Sequence, residues 1–163
     1  MNITARIKQL SLKNLWRFFV LFLRHPIMGY QAIKATKQSI KICNDKFGMK
    51  HHGQGQANAF RHAFWNYLIC KKCVKYAKND QKSVDFAKKL TDLYEKATQN
   101  EPMDQAMDYH NNAVGRSIFI EIGIKKDDFA IVFVEKMSKN AKKVSNLIDF
   151  ESNKRDLVYL KED

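Results

Sequence analysis

Glycine and proline are scarce, at 6 and 2 residues in a chain of 163. So few turn-formers leave room for only a few connections, so the elements are long and helix is the default. Cysteine is scarce too, and its count of three is odd. Cys43, Cys70 and Cys73 therefore argue against a disulfide framework and for a reducing compartment. Cys70-Lys-Lys-Cys73 is a lone CxxC pair that falls at i and i+3 on a helix. A structural zinc there needs two further ligands from elsewhere, and two ordinary half-buried thiols are the simpler reading. Long apolar runs are also missing. The most apolar stretch, Leu15 to Leu23, is nine residues, well short of the roughly 20 that cross a bilayer. Arg24-His25-Pro26 follows it directly, where a signal peptide would carry small residues for cleavage. No helix-turn-helix, zinc-finger or RNA-recognition signature is present.

Hydrophobic residues make up 45% of the chain and charged residues 28%, the balance of a globular domain with a real core. Lys and Arg together number 29 against 17 Asp and Glu, a formal charge of +12. That surplus favours anionic partners: an anionic small molecule, a lipid headgroup or an anionic membrane surface. Lysine dominates arginine and no aromatic stripe accompanies it, which disfavours a specific nucleic-acid reader and also suits plain solubilisation.

The pattern divides into a basic and apolar N-terminal helix over 1–24, a helical core over 25–149 and a charged tail over 150–163, read as a frayed end or an extended arm. The leader has two readings. It packs on the core, or it lies at a membrane interface with Trp16, Phe18, Phe19 and Phe22 in the lipid boundary and Lys8, Lys13, Arg17 and Arg24 on headgroups. Localisation follows as cytoplasmic, either free or peripheral on the inner face of the membrane. After Pro26 a helix is expected from near Gly29 to Phe47, with Ala32, Ile33, Ile40 and Cys43 at helical spacing. Gly48 to Gln56 forms an irregular glycine-rich loop able to approach a ligand closely. Helices follow over Ala57–Ala77, Ser83–Thr98 and Met103–Ile122, the last opened by Pro102 and closed by Gly123. Asp127 caps a final long helix whose buried stripe reads Phe129, Phe133, Met137, Ala141, Val144 and Ile148. The fold class is an all-α single-domain bundle of about five to six helices, with the glycine-rich loop before the third.

Three segments place polar residues where periodicity points inward. Asn58, His62 and Asn66 fall at i, i+4 and i+8, with Arg61 beside them. The helix they open follows the glycine loop directly, so its free N–H groups offer an anion site. Asp92 and Glu95 share a face of the next helix, with Thr91 under Glu95. Asp108, Asn111 and Asn112 group on a third, with His110 between them and Arg116 following, while Gly115 permits close helix approach. Burying so many polar groups without purpose is costly. These strings, Asn58-Ala-Phe-Arg-His-Ala-Phe-Trp-Asn66, Thr91-Asp-Leu-Tyr-Glu95 and Met107-Asp-Tyr-His-Asn-Asn-Ala-Val-Gly-Arg116, resemble a bacterial family of unknown function with the pattern N-A-x-R-H-A-x-W, T-x-x-H-E and M-D-x-H-N-N-x-x-G-R. The resemblance implies an all-helical domain with a polar site shared by three helices and supplies no reaction. Tyr94 stands where that pattern carries histidine.

Two functions fit these residues. In the first, a hydrolase-like site acts on an anionic or phosphate-bearing substrate, a lipid included. His62 is its general base and Asp108 orients it, with Glu95 and Asp92 as further acids or as ligands, together with His62 and Asp108, of a divalent metal. A set containing His suits Zn²⁺, Mn²⁺ or Fe²⁺, and an oxygen-only subset suits Ca²⁺ or Mg²⁺. Asn58, Arg61, Asn66, His110, Asn111, Asn112 and Arg116 would bind the substrate. In the second, a non-enzymatic membrane or protein-binding module uses the same cluster as a buried network that sets helix register. The first reading calls for a cleft at His62, the second for a buried, fully bonded histidine.

Overall fold

The computed structural model describes residues 11–98 and 101–163. The basic start of the leader, Lys8 included, lies outside the described residues. Among the described residues there are six helices of 13 residues or more: α1 (Leu12–Arg24), α2 (Pro26–Phe47), α3 (Gln56–Ala77), α4 (Asp80–Thr98), α5 (Pro102–Ile122) and α6 (Asp127–Lys139). A 3₁₀ turn, Lys50–His52, sits in the glycine-rich connection, and a short α7 (Leu147–Ser152) follows α6. The two-residue strands β1 (Lys142–Lys143) and β2 (Val158–Tyr159) pair in parallel. The protein is an all-α bundle, and no helix among the described residues is long and apolar enough to cross a membrane.

The boundaries follow local chemistry. Ser11 caps α1 by accepting from the Asn14 N–H at 3.3 Å. Pro26 occupies the first turn of α2 rather than ending a break, so this helix begins three residues ahead of the expected Gly29. α2 stops at Gly48 and α5 at Gly123, both at positive φ (57° and 63°), the conformation in which glycine carries no Cβ penalty.

α3 is the spine. Fourteen of its 22 residues are buried, and α2, α4, α5 and α6 all pack around it. Phe60, Phe64 and Tyr67 lie in series along it, fully enclosed, and burial of each contributes about 1.5–3 kcal/mol. On α2 the buried positions are Gly29, Ala32, Ala35, Ser39 and Cys43, while Ile33 faces out at 43% exposure, contrary to the expected stripe. On α6 the buried row is Ala130, Val134 and Ser138. The expected row ran one residue earlier and too far: Phe129 and Ile148 are exposed, and the helix ends at Lys139 before Ala141, Val144 and Ile148. Small residues face the spine because they allow close approach, and Phe133 and Met137 fill the flank.

α1 is two-sided. Phe18, Leu21 and Phe22 pack on the core, whereas Leu12, Trp16, Phe19 and Leu23 are exposed. The tail is laid onto the bundle. Leu157 and Val158 are buried, Leu160 N–H donates to Gln54 O at 2.9 Å, and the Asp163 carboxylate accepts the Ala57 N–H at 2.7 Å.

Candidate functional site

Three helices turn polar rows toward one another. α3 supplies Asn58, His62 and Asn66, α4 supplies Thr91 and Glu95, and α5 supplies Asp108, Asn112 and Arg116, spaced i, i+4 and i+8. All eight are buried. The α3–α5 approach is set by Gly115, where any Cβ would run into the backbone of Ala63.

His62 is 2% exposed and meets partners through both ring nitrogens. Nδ1 lies 3.1 Å from Asn112 Oδ1 and 3.5 Å from Glu95 Oε1. Asn112 Nδ2 donates to Glu95 Oε1 at 2.9 Å, and Asn112 Oδ1 also accepts from Asn66 Nδ2 at 2.6 Å. The amide is thus oriented with its oxygen toward the ring, an oxygen that only accepts, so the ring proton sits on Nδ1. On the other side Nε2 accepts from Arg61 Nη2 at 2.5 Å and lies 3.1 Å from Asp108 Oδ1. A nitrogen lone pair and a carboxylate oxygen at this separation need a cation between or beside them: a proton, the Arg61 guanidinium or a metal ion.

The network continues outward. Asn66 Oδ1 accepts from Arg116 Nη1 at 2.9 Å and from Thr91 Oγ1 at 3.3 Å. Burial lowers the Arg116 pKa, and the charges of Asp92 and Cys70 oppose that shift. One ligand atom each from His62, Glu95 and Asp108 lies within 4.8 Å of the other two. Bonds of about 2.0–2.2 Å to a zinc-like ion put neighbouring ligand atoms about 3–3.5 Å apart. The two carboxylates approach opposite ring nitrogens, so one ion on all three residues requires a side-chain rearrangement and release of the Arg61 bond to Nε2.

Other candidates lie elsewhere. Asp92 is half-buried and pairs with Lys88 at 2.5 Å, one turn from Glu95 but turned to the surface. Asn111 binds the tail, donating to Val158 O at 2.9 Å and accepting from Val158 N at 3.0 Å. His110 Nε2 lies 2.8 Å from Asp156 O, also on the tail. Asn58 donates to Gly53 O at 2.6 Å and holds the glycine-rich loop. The N-terminus of α3, expected as an anion site, has its Ala57 N–H taken by Asp163, and it is this carboxylate that approaches Gly55 closely.

A family described as "Domain of unknown function (DUF6973)" matches residues 19–142. The chain belongs to that family. No curated protein and no solved structure matches it. The matched span contains the three-helix network whole. Tyr94, the position at which the recognised pattern has histidine, packs its ring edge-on against Trp65 at 5.4 Å.

A cleft of about 490 Å³ opens beside this network, lined by Lys88, Asp92, Lys96, Tyr109, Ala113 and Arg116 among others. It meets the network at Arg116, whereas the expected opening was at His62. A second hollow of about 560 Å³ lies between α1 and α4 and shares Asp92 and Lys96 with the first. Sequence reasoning missed Lys88, Lys96 and Tyr109 as lining residues. Their one signal, a basic and aromatic face at i and i+8 on α4 opposite Tyr109, also describes any solvated helix.

Proposed function

We propose that this family member is a metal-assisted hydrolase acting on an anionic, phosphate-bearing substrate at a membrane surface, a lipid included. The observation that carries the reading is the facing pair His62 Nε2 and Asp108 Oδ1, 3.1 Å apart and buried, with Glu95 completing a three-ligand set. In this low-dielectric interior the pair is neighboured by the Arg61 guanidinium, and a divalent ion would take the place of the Arg61 hydrogen bond to Nε2. One histidine and two carboxylates suit Zn²⁺, Mn²⁺ or Fe²⁺. Such an ion, when bound, supplies an activated water and charge stabilisation. Asn112 bonds the Nδ1 side of His62, as the outer partners of metal-bound histidines do, and leaves Nε2, which otherwise accepts from Arg61, as the nitrogen for the ion. The charge of +12 and the exposed apolar side of α1, bordered by Lys13, Arg17 and Arg24, support a membrane-surface substrate.

A second reading has its own observation. His62 is enclosed, bonded at both nitrogens, and separated from the cleft by Asn66 and Arg116. That is the geometry of a polar network fixing the register of α3, α4 and α5 in a binding module. Elemental analysis of purified wild type and Asp108→Asn decides between them. One equivalent of metal in the wild type and none in a folded Asp108→Asn variant establishes the metal centre. A metal-free wild type that stays metal-free after dialysis against Zn²⁺, Mn²⁺ or Fe²⁺ leaves the structural network.

A further inference from the structure

The two hollows adjoin along α4, where Asp92 and Lys96 line both, and together they offer a surface of two characters. Its α1–α4 half is lined by the apolar Trp16, Val20, Leu21 and Leu93 and by the cations Arg17, Arg24 and Lys89. Its α4–α5 half is polar and ends on Arg116, which is 7% exposed and held by Asn66. Asp92 and Lys96 belong to both halves. In the polar half Lys88, Lys96 and Arg116 face a single carboxylate, Asp92, which Lys88 already pairs. An excess of cations over one neutralised carboxylate, around a buried and pre-oriented guanidinium, is the chemistry of an anion site. An apolar trough leading from it is the chemistry of an acyl chain.

We propose that this surface binds a phosphate-bearing amphiphile, with the phosphate on Lys88, Lys96 and Arg116 and a single alkyl chain along Trp16, Val20, Leu21 and Leu93. The substrate class rests on the hydrolase reading above, but the binding does not require the metal. Arg116 connects to His62 through Asn66 and Asn112, so a phosphate on Arg116 is linked to the proposed metal set by a chain of three hydrogen bonds. The exposed apolar residues of α1, Leu12, Phe19 and Leu23, place the trough at the lipid boundary from which such a chain would enter.

The test is calorimetric titration of the full chain in EDTA with decyl phosphate, decyl maltoside and inorganic phosphate. Decyl phosphate should bind at least ten times more tightly than either of the others. The double variant K88Q/K96Q should lose about tenfold for decyl phosphate and leave decyl maltoside unchanged. W16A, at an exposed position, should weaken decyl phosphate several-fold and leave inorganic phosphate unchanged. Equal affinity for decyl phosphate and inorganic phosphate, equal affinity for decyl maltoside, or no binding at all overturns the proposal. So does self-association through this surface, seen as a dimer in sedimentation that W16A dissolves. Because chelator is present throughout, a metal-free wild type in the elemental analysis overturns the hydrolase reading and leaves this result standing.

Discussion

Asn112 stands 3.1 Å from His62 across the α3–α5 interface, and its one side chain also reaches Asn66 and Glu95. Three buried groups on two neighbouring helices, α3 and α4, therefore depend on a single amide of α5. Replacing it with alanine strands those groups and opens a small void. Asn112→Ala should cost about 2–4 kcal/mol of stability, read as a lower urea midpoint with an unchanged slope. A cost under about 0.5 kcal/mol would mean that the amide does not join the helices.

Gly115 carries the same interface from the backbone side. A methyl group there would overlap the Ala63 carbonyl and Cα, both main-chain atoms with nowhere to move. Gly115→Ala should separate α3 from α5 and destabilise the domain by about 2–3 kcal/mol or more, measured by thermal melting. It should also disperse the amide resonances of His62 and Asn112 in an NMR spectrum.

The rows that build this interface were legible because spacing alone determines them. Positions 58, 62 and 66 share one helical face whatever surrounds them, and Pro102 and Gly123 mark the ends of α5 locally. The division between Asp92 and Glu95 was not legible. Three residues apart, they point about 60° from one another, and either could have turned inward. Lys88, four residues before Asp92, holds that carboxylate at the surface. The α6 stripe failed for a related reason. Hydrophobicity favours Phe129 and Phe133, but packing against the spine selects the small row Ala130, Val134 and Ser138. The docking of the tail lies between residues 106 positions apart, Ala57 and Asp163, and no local pattern signals it.

Asp163 makes that docking testable. Its carboxylate accepts a helix N-terminal N–H at 2.7 Å, close to the positive end of the α3 dipole. Asp163→Ala should lower stability by about 1 kcal/mol in low salt, and Asp163→Asn by less. Hydrogen exchange at Ala57 and Val158 should rise in both variants. Unchanged exchange at both amides would show that the tail holds without its carboxylate.

His51 gives the stability a pH dependence whose sign can be worked out. Burial pushes its pKa from 6.5 down to about 4, with the neighbouring charges of His52 and Arg61 adding to the shift. The unfolded chain binds this proton below about pH 6.5, and the folded chain only near pH 4. The contribution of His51 is therefore fully present above pH 6.5 and is lost as pH falls toward 4, by about 2–3 kcal/mol over the window. Urea unfolding at intervals from pH 7 to pH 4 should show this loss in the wild type. His51→Asn removes the titrating group, and its curve should be flatter over the same range. Parallel curves would assign the acid sensitivity to other groups.

Metal binding should appear as stability as well as composition. An ion that binds only the folded state adds about 2.7 kcal/mol at a free concentration one hundred times its Kd. For a domain of this size that is roughly 5–10 °C in Tm. Stripped wild type titrated with Zn²⁺ or Mn²⁺ should melt progressively higher, and Glu95→Gln, which keeps the shape and hydrogen-bonding reach of the side chain, should respond weakly. Asp108→Asn should not respond at all, because it replaces the oxygen facing His62 Nε2 with a neutral amide. Without metal, the Arg61 guanidinium and the His62 ring stand beside that carboxylate, so Asp108→Asn should cost the stripped protein some stability as well. If the wild type gains nothing with metal, the carboxylate is paired with a proton or with Arg61, and the three helices are joined by a structural network.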